Sequence, residues 1–356
     1  MQRYTRQILL PNFGVEAQQK LSESKVLVVG AGGLGVPVLQ YLAAAGIGKL
    51  GIADGDAIEI SNLQRQVLYS ESEIGQNKAL VAKEKLSQLN SEIEIVAYSS
   101  FITTENIFDI IDSYDVVVDC TDRFSVRYLV NDVCYLLKKP LVFASIYQYE
   151  VQLSVFHYGD NPYNLRDLFA DIEDENLVPN CNEAGILGTV TAIAGSLQAH
   201  EVIKVITKIG KVNSGSLMIF NSLNFQMSIF SIPKSSEKFT PKNRDEVLRK
   251  NYGIACETIF SIDNLQELKA ILDQKNTVLI DVREKEELPK ITQLPVTEIP
   301  LGELAEHCVF LQKFDTIVLI CKSGVRSKKA IHWLQNMNFD KSIFSVENGI
   351  EIFRKD

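Results

Sequence analysis

A glycine-rich turn joins an apolar strand to a helix near the N-terminus of this chain. KVLVVG (Lys25–Gly30) is a short run of apolar residues, which is typical of a parallel strand buried on both faces. GAGGLG (Gly30–Gly35) follows it, and helical spacing follows the glycines. Glycines at such a junction permit a tight turn and let a phosphate approach the backbone at the helix N-terminus. The pattern predicts a nucleotide site, and the alternative is a glycine turn without a ligand.

Apolar runs alternate with helical patterns through the first half of the chain. KLGIADGD, EIEIVAYSS, YDVVVDCTD and PLVFASIYQYEVQLSVFHYG have strand character, and helix-like segments lie between them. This alternation predicts a doubly wound α/β sheet. The polar residues 160–185 interrupt it, and loops of that length are uncommon unless they are functional. A helix returns over 188–209, and SLMIFNSLNFQMSIFSI predicts two antiparallel strands.

Composition changes after residue 232. Residues 233–256 are polar and charged, which indicates a linker. A second, smaller α/β pattern fills residues 257–356. Because 356 residues exceed one average domain, we predict a large domain over 1–232 and a small one after the linker.

Charge, hydropathy and cysteine usage exclude several classes of protein. A net charge of −9 argues against a general nucleic-acid binder, and no apolar stretch approaches the length of a membrane span. The N-terminus has no signal-peptide layout, which predicts a cytoplasmic protein with reduced thiols. The six cysteines form no C-x-x-C pair and only four histidines are present, so we expect no structural zinc.

Charged residues follow the glycine turn at positions that suit a nucleotide. Asp54 ends the next strand, where an acid would take a ribose hydroxyl. Read alone, these features fit NAD or FAD. SNLQRQ (Ser61–Gln66) then brings Arg65, and GQNKAL brings Lys78. A triphosphate carries more charge than a pyrophosphate diester and favours fixed cations, although both residues could also be solvated surface cations.

Two aspartates in DCTD end another predicted parallel strand. Asp119 and Asp122 fall at the carboxyl edge of the sheet, where ligands bind. A carboxylate there can hold Mg²⁺ together with phosphate oxygens. The alternative for such an aspartate is a turn or an N-cap before the helix near Arg123.

Six motifs of the first domain resemble those of the MoeB/ThiF (HesA) family, bacterial relatives of the ubiquitin-activating enzymes. They are, in order, RYTRQILL, GAGGLG, DGDAIEISNLQRQVLY, GQNKA, DCTD and EAGILG, and the resemblance covers residues 2–232. It implies a Rossmann-like sheet of the ubiquitin-activating-enzyme type. It also implies that ATP adenylates the C-terminal glycine of a small ubiquitin-like sulfur-carrier protein of the MoaD/ThiS kind.

The resemblance also assigns roles to single residues. Gly33 would lie against the nucleotide, Asp54 would bind the ribose, and Asp122 would serve Mg²⁺. Arg6, in RYTRQ, would reach the triphosphate of a neighbouring subunit, which implies a homodimer. Motifs and resemblance together predict these nucleotide contacts: Gly30, Gly32, Gly33, Gly35, Asp54, Ser61, Asn62, Arg65, Gln66, Lys78 and Asp122.

This chain departs from the family at the zinc site. Many members hold zinc with two C-x-x-C pairs, but the corresponding stretches here are NPYNLRDLF and IPKSSEKF, so we predict no zinc. Arg123 stands where many relatives have asparagine. Cys181, in VPNCNEAG, aligns with the cysteine that some relatives use in thioester or acyl-disulfide chemistry. The alternative for Cys181 is an inert or buried thiol.

A second cysteine motif, CKSGVRS, follows the apolar run DTIVLI in the small domain. Cys321 precedes a helix beside Arg326, where the helix dipole, loop amides and positive charge would stabilise a thiolate. The alternative is a cysteine packed at the end of a strand. LIDVRE, IPL, CKSGVRS and VENGI resemble a single-domain rhodanese, in which the loop cysteine carries a persulfide. Asp281 and Arg283 are predicted to form a structural ion pair.

Together the two domains predict an adenylyltransferase and sulfurtransferase. The persulfide of Cys321 would attack the acyl-adenylate, or a thioester at Cys181, and a second thiol would then release a thiocarboxylate on the carrier. A donor such as a cysteine desulfurase would supply the sulfur. Thiamine, molybdopterin, cysteine and tRNA thiolation pathways stay open. The alternatives are an NAD-dependent oxidoreductase with a rhodanese-like module and a non-catalytic interaction protein.

Overall fold

The chain divides into two units, Met1–Tyr252 and Gly253–Asp356, in the computed structural model. The structure describes residues 2–169, 185–235, 238–250, 252, 260–336, 339 and 341–354. Across these residues, no helix is both long enough and apolar enough to cross a membrane. The first unit extends past residue 232, where the sequence indicated that a linker begins.

The described part of the first unit contains an eight-stranded sheet. Its strands are β1 Lys25–Val29, β2 Lys49–Ala53, β3 Glu94–Tyr98, β4 Val116–Asp119, β5 Leu141–Tyr147, β6 Glu150–Phe156, β7 Ser216–Asn221 and β8 Gln226–Ser231. The spatial order is β3-β2-β1-β4-β5-β6-β7-β8. Strands β1 to β5 run parallel, and β6 to β8 are antiparallel. The predicted doubly wound sheet and its antiparallel β7–β8 pair are confirmed.

Burial on both faces explains why the parallel strands are almost continuously apolar. All but the first residue of KVLVV in β1 are buried, as is every residue of VVVD in β4. Among the residues that the structure describes, the α-helices of this unit are Thr5–Ile8, Gly14–Glu23, Gly35–Ala45, Lys78–Leu89, Ile107–Asp112, Phe124–Leu137, Leu165–Leu168, Gly188–Thr207 and Arg244–Arg249. Strand order reverses between β1 and β4, so a ligand crevice is expected at the carboxyl ends of these two strands.

Part of the segment interpreted as a linker packs onto the first unit. It contains the helix Arg244–Arg249, and Tyr252 Oη donates to Asp132 Oδ2 at 2.6 Å. Asp132 is buried and forms a two-point ion pair with Arg166, at 2.9 and 2.8 Å. A buried ion pair needs further hydrogen-bond partners, and Tyr252 supplies one. The polar composition of the segment therefore reflects pairing with buried charges as well as solvation.

The described part of the second unit contains a five-stranded sheet that is parallel throughout. Its strands are β9 Phe260–Ile262, β10 Thr277–Asp281, β11 Thr297–Glu298, β12 Thr316–Ile320 and β13 Ser342–Val346, in the spatial order β11-β10-β12-β13-β9. Its α-helices are Leu265–Leu272, Cys308–Leu311 and Val325–Asn336. Every residue of β12 is buried, so the run DTIVLI is a central strand and Cys321 follows its carboxyl end.

Candidate functional site

Close backbone packing shapes the glycine turn after β1. Gly30 has a φ of +95°, and a Cβ on it would lie 2.8 Å from the carbonyl oxygen of Cys120. A Cβ on Gly35 would lie only 1.9 Å from the carbonyl oxygen of Gly30. The helix Gly35–Ala45 has no side-chain cap at its N-terminus. The Val36 amide donates to the Gly32 carbonyl at 2.9 Å and Pro37 has no amide hydrogen, so an anion at the carboxyl edge of the sheet would meet the amides of the turn that precede them.

Asp54 holds this turn in place with both carboxylate oxygens. Oδ2 accepts a hydrogen bond from the Ala31 amide at 2.7 Å, and Oδ1 accepts one from the Asp56 amide at 2.8 Å. Burial raises the pKa of Asp54 above its ordinary value, although the Lys78 ammonium opposes this effect. Each oxygen keeps acceptor capacity, so the geometry is compatible with the predicted contact to a ribose hydroxyl.

The SNLQRQ motif packs directly against the turn. A Cβ on Gly33 would lie 3.3 Å from Arg65 Cδ, and a Cβ on Gly32 would lie 3.6 Å from Gln66 Nε2. Arg65 Nη1 donates to the Ser61 carbonyl at 3.1 Å. Gln66 is buried, yet its Oε1 has no hydrogen-bond partner among the residues that the structure describes. A nucleotide donor group at this position would satisfy Oε1, so the residues around the turn fit the predicted ATP.

Ser61 and Asn62 close the start of the same motif. Asn62 Oδ1 accepts from the Glu59 amide at 3.2 Å, and Ser61 Oγ donates to Glu59 Oε2 at 3.1 Å. These contacts fix the short 3-10 helix Ile60–Asn62. In the structure the two side chains serve this turn, and their contacts with a nucleotide stay predictions.

Lys78 is a buried cation beside the turn. Tyr69 Oη links the two regions, because it donates to the Ala31 carbonyl at 2.8 Å and to the Lys78 carbonyl at 3.3 Å. Lys78 Nζ lies 3.0 Å from Asp56 Oδ2. The Asp56 side chain is largely exposed, and the ammonium keeps two donors beyond this pair. These donors are compatible with a phosphate at the edge of the turn, and that contact of Lys78 stays a prediction.

The two acids of DCTD have different environments. Asp119 is fully buried, and its Oδ1 accepts from the Thr121 amide at 2.9 Å and the Thr121 hydroxyl at 2.6 Å. Burial raises the pKa of Asp119, and Arg127 opposes the rise. Asp122 is exposed at the carboxyl edge. The next helix has Arg123 as its N-cap and no side-chain cap bond, which argues against a capping role for Asp122.

Arg127 is a buried residue of this site that the sequence did not single out. Its Nη2 donates to the carbonyls of Thr121 and Ala144, the latter at 3.2 Å, and its Nε lies 3.7 Å from Asp119 Oδ2. The guanidinium also stacks on Phe143, 4.9 Å from the ring centroid. Arg127 therefore joins the loop after β4 to β5 and positions the segment that carries Asp122. The only available signal was a charged residue on the apolar face of a predicted helix.

Arg6 and Cys181 do not join the site in the described structure. Gln7, next to Arg6, donates from Nε2 to the Ala45 carbonyl at 2.9 Å, at the far end of the helix that begins at the glycine turn. That helix is about 16 Å long at 1.5 Å per residue, so exposed Arg6 lies away from the turn of its own chain. Its role in a neighbouring subunit stays a prediction. Cys181 lies outside the described residues.

The loop after β12 folds tightly around the thiol of Cys321. The Gly324 amide donates to Cys321 Sγ at 3.1 Å, and Ser327 Oγ lies 3.6 Å from the same atom. Gly324 has a φ of +86°, and a Cβ on it would lie 2.0 Å from the Glu347 carbonyl oxygen. The cysteine side chain is only 1% exposed. Cys321 therefore packs at the end of a strand, as the alternative interpretation had it, and also accepts a loop amide, while its role as a persulfide carrier stays a prediction.

Hydrogen bonds determine the ionisation of Cys321. Burial opposes the thiolate, but the backbone amide and hydroxyl of Ser327, with the amides of Ser323 and Arg326, lower the pKa of Cys321 below its ordinary value. The guanidinium of Arg326 instead binds Glu287 at two points, with Nη2 2.8 Å from Oε2. The sequence predicted stabilisation by the helix dipole, loop amides and positive charge, and Arg326 contributes its backbone amide while its guanidinium is paired with Glu287.

The predicted ion pair at the end of β10 is confirmed. Arg283 Nη2 lies 2.7 Å from Asp281 Oδ2, and Arg283 Nε lies 3.0 Å from both carboxylate oxygens. Both residues are buried. Arg283 Nη1 also donates to the Pro289 carbonyl at 3.0 Å. The pair therefore fixes the loop that follows β10 and has a structural role.

We expect alkylation of Cys321 by iodoacetamide to show a pH midpoint below 9.0, the ordinary value for a thiol. A lowered pKa means that the thiolate persists at lower pH and is lost only as the pH falls through the new value. Ser327→Ala removes one stabilising donor and is expected to raise the midpoint. Peptide mass spectrometry measures both, with Cys308 as an internal reference. A Cys321 midpoint at or above 9.0 would contradict the amide cradle.

Comparison with known proteins gives the same two parts. Residues 4–241 match the ThiF family, and residues 264–356 match a rhodanese-like domain. A sulfur carrier protein adenylyltransferase of Thermus thermophilus is 48% identical over 227 residues, which cover 63% of this chain and 84% of that protein.

Two-part relatives extend the similarity over nearly the whole chain. A probable adenylyltransferase/sulfurtransferase MoeZ of Mycobacterium tuberculosis is 36% identical and covers 99% of this chain and 92% of its own. An adenylyltransferase and sulfurtransferase MOCS3 of Drosophila ananassae is 37% identical, covering 98% and 82%. A crystal structure of Escherichia coli MccB with ATP is 28% identical, with a TM-score of 0.59 and coverage of 67% and 74%.

Proposed function

Because the chain belongs to the ThiF family and carries a rhodanese-like domain, we propose that it adenylates a ubiquitin-like sulfur carrier and then transfers sulfur to it. It is an enzyme, an adenylyltransferase and sulfurtransferase like its two-part relatives. The observation that carries the proposal is one chain with two built sites. One is a glycine turn bordered by Arg65, and the other is a thiol held by loop amides.

Adenylation needs placed positive charge more than a base. The C-terminal carboxylate of the carrier is ionised at neutral pH and attacks the α-phosphate of ATP, and pyrophosphate leaves. Arg65 and Lys78, at the edge of the turn, stabilise the charge that grows on the leaving group. Asp122 is the exposed carboxylate that would hold Mg²⁺, and the ion would neutralise phosphate charge. The amides of the turn orient the nucleotide.

Sulfur transfer then uses the acyl-adenylate as an activated acyl donor. The outer sulfur of a Cys321 persulfide attacks the carbonyl carbon, the acyl–oxygen bond breaks, and AMP leaves with the electron pair. A second thiol reduces the resulting acyl-disulfide, which releases the thiocarboxylate and leaves a disulfide. Cys181 and an external reductant are the two candidates for that thiol. In the alternative order, a Cys181 thioester forms first.

The same proposal includes the partners of the enzyme. The carrier is a MoaD/ThiS-like protein, the sulfur donor is a protein persulfide such as that of a cysteine desulfurase, and the chain acts as a homodimer in the cytoplasm. The pathway that uses the thiocarboxylate stays open. Carrier-dependent exchange of labelled pyrophosphate into ATP tests the first half-reaction. Absence of exchange with any Gly-Gly carrier would favour the alternative of an interaction protein, and nicotinamide binding would favour the oxidoreductase.

Zinc is not part of the proposed enzyme, and ionic contacts join the two stretches where relatives hold it. Asp167 pairs with Lys238 and accepts from the Ser235 amide at 2.8 Å. Lys234 lies 4.1 Å from the ring centroid of Tyr163.

Because these contacts stand where relatives hold zinc, we expect a zinc chelator to leave the thermal unfolding midpoint unchanged. EDTA is expected to stop exchange, and added Mg²⁺ to restore it. A loss of stability reversed by zinc would contradict this.

A further inference from the structure

Arg326, the arginine of the CKSGVRS motif that carries Cys321, is neutralised by a residue from another element. Arg326 Nη2 lies 2.8 Å from Glu287 Oε2, and Nη1 contacts Oε1. Glu287 follows β10, and a turn holds it: Glu284 N donates to Glu287 Oε1 at 3.0 Å, and Glu287 N donates to the Glu284 carbonyl at 3.0 Å. Hydrogen bonds from Arg326 lower the pKa of Glu287 to about 2, so both partners are charged at neutral pH.

The other charges beside the loop are also largely balanced. Arg283 is paired with Asp281 at the end of β10, which lies beside β12, the strand that precedes Cys321. Lys328, one turn along the helix from Gly324, lies 2.6 Å from Glu347. Lys322 is exposed beside the cysteine. Removal of the Glu287 carboxylate would take away the two-point partner of Arg326, which Glu284 would still influence through its charge, and would leave more positive charge near the thiol.

We propose that Glu287 is a specificity-determining residue, which cancels the charge of Arg326 and so disfavours small polyanionic sulfur donors relative to protein persulfides. This inference rests on the sulfurtransferase activity proposed above. A two-point carboxylate–guanidinium pair is the contact best suited to this task, because it occupies the donor fork that would otherwise bind an anion. Protein persulfides bring one negative charge to the loop, whereas thiosulfate brings two.

The reaction with thiosulfate shows where that charge acts. The Cys321 thiolate attacks the outer sulfur of thiosulfate, the sulfur–sulfur bond breaks, and sulfite leaves with the electron pair. The enzyme then carries a persulfide anion. Cyanide attacks the outer sulfur of this persulfide, which yields thiocyanate and restores the thiolate. Two anions must meet in the first step, so an uncompensated Arg326 accelerates it by lowering their repulsion.

Alkylation with a pair of matched reagents tests the charge itself. Iodoacetate and iodoacetamide both attack thiolates and differ mainly in charge. Glu287→Gln is expected to raise the iodoacetate-to-iodoacetamide rate ratio at Cys321 about fivefold, the effect of one partly screened charge. Glu287→Asp keeps the carboxylate and is expected to keep the ratio low. Glu303→Gln is the control, because Glu303 pairs with Lys285 on the surface of the same unit. Peptide mass spectrometry follows Cys321 alone.

Transfer from thiosulfate to cyanide tests the specificity. Glu287→Gln is expected to raise kcat/KM for thiosulfate about tenfold, while Glu303→Gln leaves it unchanged. An unchanged alkylation ratio in folded Glu287→Gln, or an equal rise in Glu303→Gln, would overturn the inference. Thermal unfolding confirms that each variant is folded. Because alkylation needs no sulfur transfer, a raised ratio in an enzyme inactive with every sulfur donor would count against the proposed function and support the electrostatic role of Glu287.

Discussion

Replacement of Cys321 by alanine is expected to lower the rate of thiocarboxylate formation on the carrier roughly a thousandfold or more. ATP–pyrophosphate exchange is expected to stay near the wild-type rate. In the proposed mechanism Cys321 carries the persulfide whose outer sulfur is the nucleophile of the second half-reaction, and adenylation uses the glycine turn of the first unit instead. The donor amide of Gly324 and the hydroxyl of Ser327 have no function in transfer once Sγ is absent. Cys321→Ala is therefore expected to keep the adenylation half-reaction and to lose the sulfur-transfer half-reaction.

A control must show that Cys321→Ala fails because the reactive thiol is missing and not because the core of the second unit is less well packed. Cys321 is buried in the core of the second unit, so its removal leaves a small void. Cys308→Ala is the matched control, because it removes a half-buried thiol of the same unit. It is expected to transfer sulfur normally. Intact mass spectrometry of the carrier measures the product, and full sulfur transfer by folded Cys321→Ala would refute the scheme.

Arg65→Ala is expected to lower ATP–pyrophosphate exchange about 100- to 1,000-fold, the usual cost of one group that stabilises developing charge. Its stem lies against the glycine turn and its guanidinium is anchored on the Ser61 carbonyl. Without the guanidinium, the negative charge that develops on the leaving pyrophosphate has one positive partner fewer. Arg65→Lys keeps the charge but not the planar fork, and an intermediate rate is expected.

A surface lysine gives the matched control for Arg65. Lys83 is exposed on the helix Lys78–Leu89, and Lys83→Ala is expected to leave exchange unchanged. Sulfur transfer from thiosulfate to cyanide is expected to survive in Arg65→Ala, because it uses only the second unit. Exchange at the wild-type rate in Arg65→Ala would show that the turn does not bind the triphosphate as proposed.

The parallel core and the ligand turn were accessible from sequence because both depend on local patterns. Strands buried on both faces must be apolar throughout, and this holds for β4 and β12. Gly35 cannot carry a side chain, since the Gly30 carbonyl occupies the position of its Cβ. Cys321 follows a strand and precedes a helix, so its environment was also set by nearby residues.

Residues that act through distant partners were not accessible in the same way. Glu287 is far along the chain from Arg326, and nothing in either segment specifies that the two side chains meet. The role of Arg127 depends on the pairing of β4 with β5, because this pairing brings the Thr121 and Ala144 carbonyls to its guanidinium. Tyr252 lies in a stretch that the sequence predicted to be a linker, and its hydrogen bond to Asp132 is visible only in the folded structure.

The most direct test of the account is a single-turnover reaction followed by intact mass spectrometry of the carrier. The enzyme is first loaded with persulfide at Cys321, and then mixed with ATP, Mg²⁺ and a carrier that ends in Gly-Gly. The account predicts AMP release and, after reduction, a carrier in which one oxygen is replaced by sulfur. Release of AMP with an unchanged carrier, or the same sulfur gain from Cys321→Ala, would contradict it.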